Sequence, residues 1–292
     1  MTKQAPPPPS AATLLQEDFW RDAWRGLRRD SFLKASQEAS PQAWHQFYSR
    51  VSGIYGDLWG YDGELGRRVS DLLVSHGLAG PGKTVLDVGC GPGTLTLPLA
   101  QAGSRVIALD WSRDMLDSLQ DQAAIMDGPM PVTVCSSWEE YNPPRPQDLV
   151  LASFFPDAFS AAGLTRLESW SRGKVALIMG AGKEAFAFRK DMWSQVLEVP
   201  FHDGGFHLTC AMGWLLAAGR RPVLSQLSWP AILDQPLEKV VEFYCTYFAI
   251  FGKQGPQVEE RIREVLENWR QGERLRADGE VNLCVLWWES PA

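Results

Sequence analysis

Three glycines and an acid stand close together in the stretch VLDVGCGPGTLTLPLA, residues 85–100. Gly89, Gly91 and Gly93 follow an apolar run that is typical of a buried strand, and Asp87 lies two positions ahead of the first glycine. Side chains at these three positions would occupy the space of a ligand or force strained dihedral angles, which glycine avoids. A helix starting after the turn would present free N–H groups. The stretch therefore predicts a turn at which a ligand touches the main chain.

A second acid ends the next apolar run. Asp110 closes the segment RVIALD, 23 positions after Asp87. That separation is close to the roughly 20 residues at which an acid meets ribose hydroxyls in nucleotide-binding α/β units. A carboxylate can accept hydrogen bonds from two hydroxyls at once. A dinucleotide fingerprint would need a glycine where Thr94 stands, so a nucleotide-dependent oxidoreductase is kept only as an alternative.

The pattern acid-x-G-x-G-x-G resembles motif I of the class I S-adenosylmethionine-dependent methyltransferases, and the resemblance extends over residues 48–180. It implies S-adenosyl-L-methionine as the cofactor and a Rossmann-like fold. It also implies that the motif residues approach the methionine moiety and the ribose: Asp87, Gly89, Cys90, Gly91 and Gly93. By the same resemblance Asp110 binds the ribose, and Trp111 and Met115 flank the adenine. For Trp111 the alternative is plain core packing.

Four further positions follow from the resemblance. Ser137 and Trp138 are expected beside the adenine: Ser137 stands where the family usually has an aspartate that accepts a hydrogen bond from the adenine amino group, and a backbone N–H serves the ring nitrogen. Ser153 is expected at a strand end beside the transferred methyl group. Tyr55 is a candidate lid residue over the methionine carboxylate or the methyl group, with a buried structural tyrosine as the alternative.

The substrate is less well indicated. Ser153 begins the sequence Ser-Phe-Phe-Pro, where relatives that methylate nucleobase or glutamine amines carry Asn-Pro-Pro-Tyr, so this chain departs from that class. The chain contains no Pro-Cys dipeptide, which disfavours a cysteine nucleophile. His202 and His207, in a predicted glycine-rich loop, are the candidate general bases, and the alternative is that they are surface residues. Thirteen tryptophans and thirteen phenylalanines favour a small substrate that is aromatic or apolar.

Composition excludes other classes of function. The 35 acids and 28 bases give a net charge of -7 without a basic stripe, which disfavours nucleic acid as a partner. The five cysteines form no C-x-x-C pair, so we expect buried free thiols rather than a metal site or disulfides. No apolar run has the length of a membrane span, and the N-terminus lacks the apolar centre of a signal peptide. We therefore expect a cytoplasmic protein that does not enter a membrane; no oligomeric state is predicted.

The pattern of elements predicts an α/β fold. Short apolar runs alternating with helices indicate a parallel sheet that is covered on both faces. The resemblance implies that this sheet is Rossmann-like, doubly wound, mostly parallel and seven-stranded, with an antiparallel last strand. The predicted organisation is a disordered proline-rich lead over 1–13, an N-terminal helical cap over 14–80, an S-adenosylmethionine-binding domain over 81–234 plus 280–292, and a helical insertion over 235–279.

One amphipathic helix is predicted over 14–35, because apolar residues recur at helical spacing. Its apolar stripe contains Leu15, Phe19, Ala23 and Leu27 and is widened by Trp20 and Trp24. In the insertion, helices are predicted over 236–251 and 256–275, and an aromatic ridge that includes Tyr247 is expected to pack on the sheet domain rather than line a ligand site.

Together these features predict an S-adenosylmethionine-dependent methyltransferase that acts on an unidentified small molecule by in-line displacement. Alignment in a closed, dry site can supply much of the acceleration in such a reaction, so a general base is not always required. The alternative is a catalytically silent protein that binds the cofactor as a sensor or scaffold. Ser137 and the missing amide near Ser153 motivate that alternative.

Overall fold

The computed structural model describes residues 10–59, 63–126, 128–182, 184–201 and 204–291. Most of the predicted lead, residues 1–9, lies outside these ranges. The first described element is a short helix, α1 (Ala11–Leu14), whose N-cap is Ser10. The Oγ of Ser10 accepts a hydrogen bond from the main-chain N–H of Thr13, which satisfies one of the free donors of the first turn.

The helices that precede the sheet are α2 (Glu17–Arg29), α3 (Phe32–Ala39), α4 (Pro41–Trp59) and α5 (Glu64–Ser75). The prediction of one helix over 14–35 is wrong, because the chain breaks after α2 and Ser31 takes an extended conformation before α3 begins. The predicted apolar stripe is confirmed only in its centre: Trp24 is completely buried, and Phe19, Trp20 and Ala23 are half-buried. At its two ends the prediction is wrong, because Leu15 is 76% exposed and Leu27 is 46% exposed.

The sheet is built from β1 (Thr84–Val88), β2 (Arg105–Asp110), β3 (Val132–Cys135), β4 (Gln147–Ser153), β5 (Ser171–Gly180), β6 (Val223–Pro236), β7 (Arg270–Gln271) and β8 (Arg274–Glu289). In space the order is β3-β2-β1-β4-β5-β8-β6, and the two-residue β7 pairs with β8. The strands from β3 to β5 are parallel, whereas β8 is antiparallel to both of its long neighbours. The mostly parallel α/β fold with an antiparallel last strand is therefore confirmed.

Helices connect and cover these strands: α6 (Thr96–Gln101), α7 (Arg113–Ala124), α8 (Ala161–Ser169), α9 (Ala187–Met192), α10 (Phe206–Ala217), α11 (Leu237–Ala249) and α12 (Pro256–Leu266). A π-helical turn, Trp193–Leu197, continues α9. Serine side chains cap two of the helices that start near the ends of strands. Ser112 Oγ accepts from the N–H of Met115 at the start of α7, and Ser160 Oγ accepts from the N–H of Gly163 at the start of α8.

The centre of the sheet is apolar on both faces. All five residues of β1 are buried, which is why its sequence shows an apolar run rather than alternation. One face packs on α5 through residues that include Val85, Leu149, Ile178, Val69 and Leu73. The opposite face packs on α8 and includes Leu86, Val150, Leu177, Leu164 and Leu167. Because helices cover both faces of the central strands, unpaired polar groups are found at the carboxyl ends of these strands.

The end of the chain differs from its prediction. The helix predicted over 256–275 stops at Leu266, because Arg270 and Gln271 pair with the start of β8 in a tight hairpin. The long strands β6 and β8 pair with each other, and α11 and α12 lie between them in the sequence. Within the described ranges, no helix combines the length and the apolar character needed to cross a bilayer.

The aromatic ridge of α11 packs mainly on the N-terminal helices, which differs from the expected contact with the sheet. The rings of Phe243 and Tyr247 each lie 5.6 Å, between centroids, from the ring of Phe47 on α4. Phe251, just beyond α11, stacks on Phe32 of α3 at 5.1 Å. The helices that precede the sheet therefore pack against the segment between β6 and β8.

Candidate functional site

The glycine turn lies directly after β1. Gly89, Gly91 and Gly93 have φ angles of +68°, +53° and +94°, a region that side chains rarely enter. A Cβ added at Gly89 would lie 2.6 Å from the ring of Phe155, and one at Gly93 would lie 2.8 Å from Leu119. A Cβ at Gly91 would have no heavy atom within 4 Å. The outer glycines thus permit close packing, while the middle one borders open space.

The turn is held over the end of β2 by main-chain hydrogen bonds. The N–H groups of Gly89 and Cys90 both donate to the carbonyl oxygen of Leu109, at 2.8 and 3.0 Å. The N–H of Gly91 donates to Asp110 Oδ2 at 2.9 Å. Beyond the end of β1, strand pairing no longer supplies an acceptor for the N–H of Gly91, and the Asp110 carboxylate takes its place. The turn therefore needs an acid at the end of the neighbouring strand.

Asp110 is held in place at both oxygens. Its Oδ1 accepts a hydrogen bond from the N–H of Ser112 at 2.9 Å, and its Oδ2 accepts from Gly91. Burial raises the pKa of Asp110, and the backbone hydrogen bonds act in the opposite direction. Each carboxylate oxygen keeps capacity for a further hydrogen bond. Asp110 can therefore receive two ligand hydroxyls without giving up its contacts to the turn.

Asp87 lies beneath the turn and is 1% exposed. Its Oδ2 accepts a hydrogen bond from Thr96 Oγ1 at 2.6 Å. Burial raises the pKa of Asp87 to about 7, and the nearby charge of Asp110 adds to the increase. Two acids at one turn repel each other when both are ionised, so a cationic ligand there would stabilise their charged forms.

A cavity of about 790 Å³ opens beside the turn, a size within the usual range of roughly 300–1,000 Å³ for small-molecule sites. The structure brings most of the predicted site residues to its wall: Tyr55, Asp87, Gly89, Cys90, Gly91, Asp110, Trp111, Met115, Ser153 and His207. The wall also includes residues of the helices that precede the sheet and of α11, which lies between β6 and β8 in the sequence.

Three predicted residues lie elsewhere among the described residues, and one is not described. Gly93 faces Leu119 rather than the cavity. Ser137 Oγ accepts a hydrogen bond from the N–H of Glu140, and neither Ser137 nor Trp138 lines the cavity within the described part of the chain. His202 falls outside the described residues.

Trp138 is held in an aromatic cluster on the far side of the loop that follows β4. Its ring centroid lies 4.9 Å from that of Trp170 and 5.5 Å from that of Phe155. The guanidinium of Arg166 lies 5.2 Å from the centre of the same ring. These contacts stabilise the loop, and they turn the indole away from the cavity.

Trp111 and Met115 take different positions at the start of α7. Trp111 is half-buried, and its ring contacts His45 at a centroid distance of 3.5 Å and Tyr48 at 6.0 Å, so α4 holds it in place. Met115 is 2% exposed and belongs to the core beneath the cavity wall. The pair forms an apolar edge next to Asp110.

Beyond the turn, the cavity continues into a region that we call the aromatic chamber. Its rings come from α3, α4, the π-helical turn and its following loop, and α11: Phe32, Trp44, Phe47, Tyr48, Trp193, Phe201 and Tyr247. Burial raises the pKa of the Tyr48 phenol well above its usual range. Sequence reasoning identified none of these rings as site residues, because amphipathic helices of a core carry the same pattern.

A buried ion pair also lines the cavity. Arg189 on α9 is 4% exposed, and its Nη1 donates to Glu184 Oε1 at 2.9 Å. Its Nη2 donates to the carbonyl oxygen of Leu58 at the end of α4, at 3.0 Å. The arginine therefore joins the helical cap to the loop after β5. No sequence motif indicated this pair.

His207 lies in the first turn of α10, not in a loop as predicted. Its Nδ1 accepts a hydrogen bond from Trp24 Nε1 at 2.9 Å. Burial, with a smaller effect of the charge on Arg28, lowers the pKa of His207 to about 4. A histidine with one nitrogen already bound and such a low pKa is a poor proton acceptor at neutral pH. The structure therefore argues against the general-base role predicted for His207.

The cysteines are free thiols, as expected, although their exposure varies. Cys90, Cys210 and Cys284 are buried, whereas Cys135 is exposed. Among the described residues, no group of three or more histidine, cysteine or acidic side chains is arranged to hold a metal ion.

Comparison with known proteins adds a family match for the central part of the chain. Residues 85–168 match a family model described as a methyltransferase domain. This segment runs from β1 through α8, so it contains the glycine turn, Asp110 and the loop after β4.

Curated relatives match over short segments. A protein of Haemophilus influenzae described as uncharacterized is 47% identical over 72 residues, which are 24% of this chain and 27% of the relative. Malonyl-[acyl-carrier protein] O-methyltransferase of Serratia marcescens is 35% identical over 91 residues, 31% of this chain and 34% of the relative. The matches thus span about a third or less of the length of these relatives.

Among solved structures, magnesium protoporphyrin IX methyltransferase from Synechocystis PCC 6803 with bound S-adenosylhomocysteine (SAH) is similar with a TM-score of 0.48 and 16% identity. The similarity covers 85% of this chain and 96% of that one.

Proposed function

We propose that this chain, whose residues 85–168 match a methyltransferase domain, is a class I S-adenosylmethionine-dependent methyltransferase that transfers a methyl group from that cofactor to a small molecule held in the cavity beside the glycine turn. The observation that carries the proposal is the continuity of the cavity. It reaches from Gly91 and Asp110 to the aromatic chamber, outside the carboxyl ends of the parallel strands, where ligands of such sheets bind.

The residues of the turn fit the cofactor. Open space at Gly91 leaves room for a ligand against bare main chain, and a side chain there would fill it. Asp110 is oriented to accept two ribose hydroxyls, while Trp111 and Met115 form the adjoining apolar edge for a planar base. The buried carboxylate of Asp87 adds negative charge for a cation. The cofactor itself supplies a methyl group made electrophilic by a sulfonium.

The contribution of the protein is to align the reactants and exclude water. Tyr48 and Tyr55 on α4, with Tyr247 on α11, form part of the cavity wall. A closed apolar enclosure strengthens the attraction between a nucleophile and a positive centre. Holding the reacting atoms in line can account for roughly 7–11 kcal/mol of a barrier.

We place the methyl acceptor beside the loop that follows β4. Ser153 ends that strand at the cavity wall, and Phe154 follows with a φ of +49°, a left-handed conformation that is uncommon for an aromatic residue. Phe154 is 46% exposed, so its ring is available to a ligand. Aromatic walls of this kind suit a small, aromatic or apolar substrate.

In this proposal the cap over 14–80 and the insertion over 235–279 act together as the roof of the substrate site. Their contact through Phe47 and Tyr247 supports it, as does the bond from Arg189 to Leu58. The sheet domain would then hold the cofactor, and the flanking helices would select the acceptor.

Two measurements test the proposal. Isothermal titration calorimetry with S-adenosylmethionine and SAH is expected to show micromolar binding of both, and absence of binding would reject the proposal. Incubation with a methyl-labelled cofactor and pools of small aromatic acids, phenols and amines should then label a specific acceptor. Binding without any labelled product across such pools would favour a sensor or scaffold instead.

A further inference from the structure

Trp24 and His207 form a hydrogen bond between two helices that are far apart in the sequence. Trp24 is completely buried on α2, and its Nε1–H donates to His207 Nδ1 at 2.9 Å. An indole nitrogen can only donate, so the lone pair on Nδ1 must be free to accept. Nδ1 therefore carries no proton.

The proton of the neutral ring must then lie on Nε2. The low pKa of His207, about 4, keeps the ring neutral at physiological pH. Within the described residues, Nε2 makes no hydrogen bond, although His207 lines the cavity. An N–H donor of a residue in the cavity wall consequently has no hydrogen-bond partner among the described residues.

Arg28 provides donors beside it. Its Nη1 donates to the carbonyl oxygens of Pro156, at 2.9 Å, and of Phe159, which ties α2 to the loop after β4. Its charge is close enough to affect the titration of His207. Within the described part of the chain, the other guanidinium nitrogens of Arg28 make no hydrogen bond. Donors from two helices therefore lie next to each other at the cavity wall.

Two acids, Asp157 and Glu38, lie near the donors of Arg28 and Lys34. Asp157 lies near Arg28, but its Oδ1 is paired with Lys34 Nζ at 3.2 Å. Lys34 is also 3.8 Å from Glu38, so the charges of Arg28 and Lys34 are balanced by those of the two acids. Because these charges balance, an anionic group is not repelled there. The orientation of the N–H donors of His207 and Arg28 then determines which group of a ligand can bind.

We infer that the Nε2–H of His207, assisted by Arg28, binds a carbonyl or carboxylate oxygen of the methyl acceptor, and that Trp24 is the positioning residue that fixes this tautomer. The inference rests on the proposed function, because it names the substrate class of the same cavity. The rings of Phe206, at 4.1 Å from His207, and Phe159, at 5.0 Å, form apolar walls around the donor. A donor between apolar walls favours a flat substrate with one acceptor group.

The tautomer can be observed directly. The protein is labelled with ¹⁵N-histidine, saturated with SAH and studied by long-range ¹H–¹⁵N correlation NMR. We expect His207 to show the Nε2–H tautomer from pH 8 down to about pH 5. In Trp24→Phe, which lacks the indole donor, a mixture of tautomers is expected. An Nδ1–H tautomer in the wild type, or a ring that titrates near its ordinary pKa, would overturn the inference.

Binding of matched probes tests the substrate class. Benzoate, acetophenone and benzylamine present a carboxylate, a carbonyl and an ammonium on similar rings, and each is titrated into the SAH-saturated protein. We expect benzoate or acetophenone to bind and to shift the His207 Nε2 resonance. The probe that binds more tightly shows whether the hydrogen-bond acceptor of the substrate is a carboxylate or a carbonyl. His207→Gln retains an N–H donor and should bind within about threefold of wild type, whereas His207→Leu should lose at least about tenfold.

The controls separate this inference from the proposed function. His76, which packs on Trp287 away from the cavity, supplies the matched variant His76→Gln, expected to behave as wild type. Thermal melting checks that each variant is folded. Stronger binding of benzylamine, equal binding by His207→Leu, or no binding of any probe would overturn the inference. SAH binding is measured first and fails only if the proposed function fails.

Discussion

The main-chain N–H of Gly91 donates to Asp110 Oδ2 at 2.9 Å, so the glycine turn and the acid at the end of β2 form one structural unit. The bond joins the residue that leaves space for a ligand to the residue that would receive its hydroxyls. A change at Gly91 or Asp110 is therefore expected to affect the other residue. Variants with matched controls distinguish a loss of cofactor binding from a loss of folding.

Replacing Asp110 should abolish cofactor binding. Asp110→Ala removes the ribose acceptor and leaves the N–H groups of Gly91 and Ser112 without their partner. Calorimetry with SAH is expected to show a loss of at least about 100-fold, which corresponds to roughly 2.7 kcal/mol. The exposed Asp117, on the helix α7 that follows β2, provides the control Asp117→Asn, which is expected to bind normally. Unchanged affinity in Asp110→Ala would mean that the ribose lies elsewhere.

Replacing Gly91 should exclude the cofactor while the fold persists. A Cβ at this position enters open space, so Gly91→Ala costs mainly the backbone strain of a positive φ, about 1–2 kcal/mol. Gly77→Ala is the matched control: its φ is +67°, and a Cβ there also meets nothing within 4 Å. Both variants should melt at similar temperatures. Only Gly91→Ala should lose SAH binding, and equal affinities would refute the assignment.

Asp87 should make the ligand-free protein less stable as the pH rises. Its pKa is raised from 3.8 to about 7, so the folded protein holds the proton more tightly than the unfolded chain. Ionisation between about pH 4 and 7 therefore costs stability, on the order of 3 kcal/mol. Asp87→Asn keeps an acceptor for Thr96 but does not ionise, so it should lose less stability over this range.

Denaturant unfolding at pH 5 and pH 8 measures this difference. The exposed Asp121→Asn serves as the control and should follow the wild type. Above pH 7 we also expect Asp87→Asn to bind S-adenosylmethionine more weakly than wild type, because it lacks a negative charge near a cationic ligand. A wild type whose stability rises with pH from 5 to 8 as steeply as, or more steeply than, that of Asp87→Asn would contradict the expected sign.

Glu168 should matter for folding and not for binding. It is 5% exposed, and its carboxylate accepts hydrogen bonds from Arg220 Nε and from Trp288 Nε1, each at 2.8 Å. Removing one partner of a buried charged network typically costs about 3–5 kcal/mol. Glu168→Ala should therefore lower the free energy of unfolding by roughly that amount, with SAH affinity unchanged at a temperature where the variant is folded.

An exposed ion pair provides the comparison. Glu267 lies 3.4 Å from Arg270, and both side chains are about half exposed or more, at 64% and 47%. Glu267→Ala is expected to cost less than about 1 kcal/mol. Similar losses for the two variants would show that the Glu168 network is more solvated than its burial indicates.

Local features of the fold and of the cofactor site were accessible from the sequence. The apolar run of β1 and the glycines after it are recognisable within a few residues, because a parallel strand covered on both faces is apolar throughout and glycine tolerates a positive φ. The same holds for Asp110, since a short strand followed by a tight turn places the acid at the sheet edge. Leu15 shows the limit: its spacing predicts burial on one long helix, yet it caps the end of the short α1 and is 76% exposed.

The chemistry of the substrate end could not be deduced in this way. His207 was a plausible base by residue type, and only the indole of Trp24, 183 positions away, reveals a neutral ring that donates through Nε2. Trp138 was expected beside the adenine, but the rings of Trp170 and Phe155 hold it elsewhere. Such contacts join distant segments, and no periodicity or spacing encodes which of many similar side chains will meet.

The parallel sheet, the main-chain turn and the acid that supports it could be predicted from the sequence, because each leaves a local signal: apolar runs between helices, closely spaced glycines, and an acid that ends the next apolar run. Tertiary structure alone decided which aromatic rings form the chamber, where the ion pair of Glu184 and Arg189 is buried, and which nitrogen of His207 carries the proton. The physical reason is that burial and pKa depend on every group packed around a side chain, and those groups come from helices that meet only after the chain has folded.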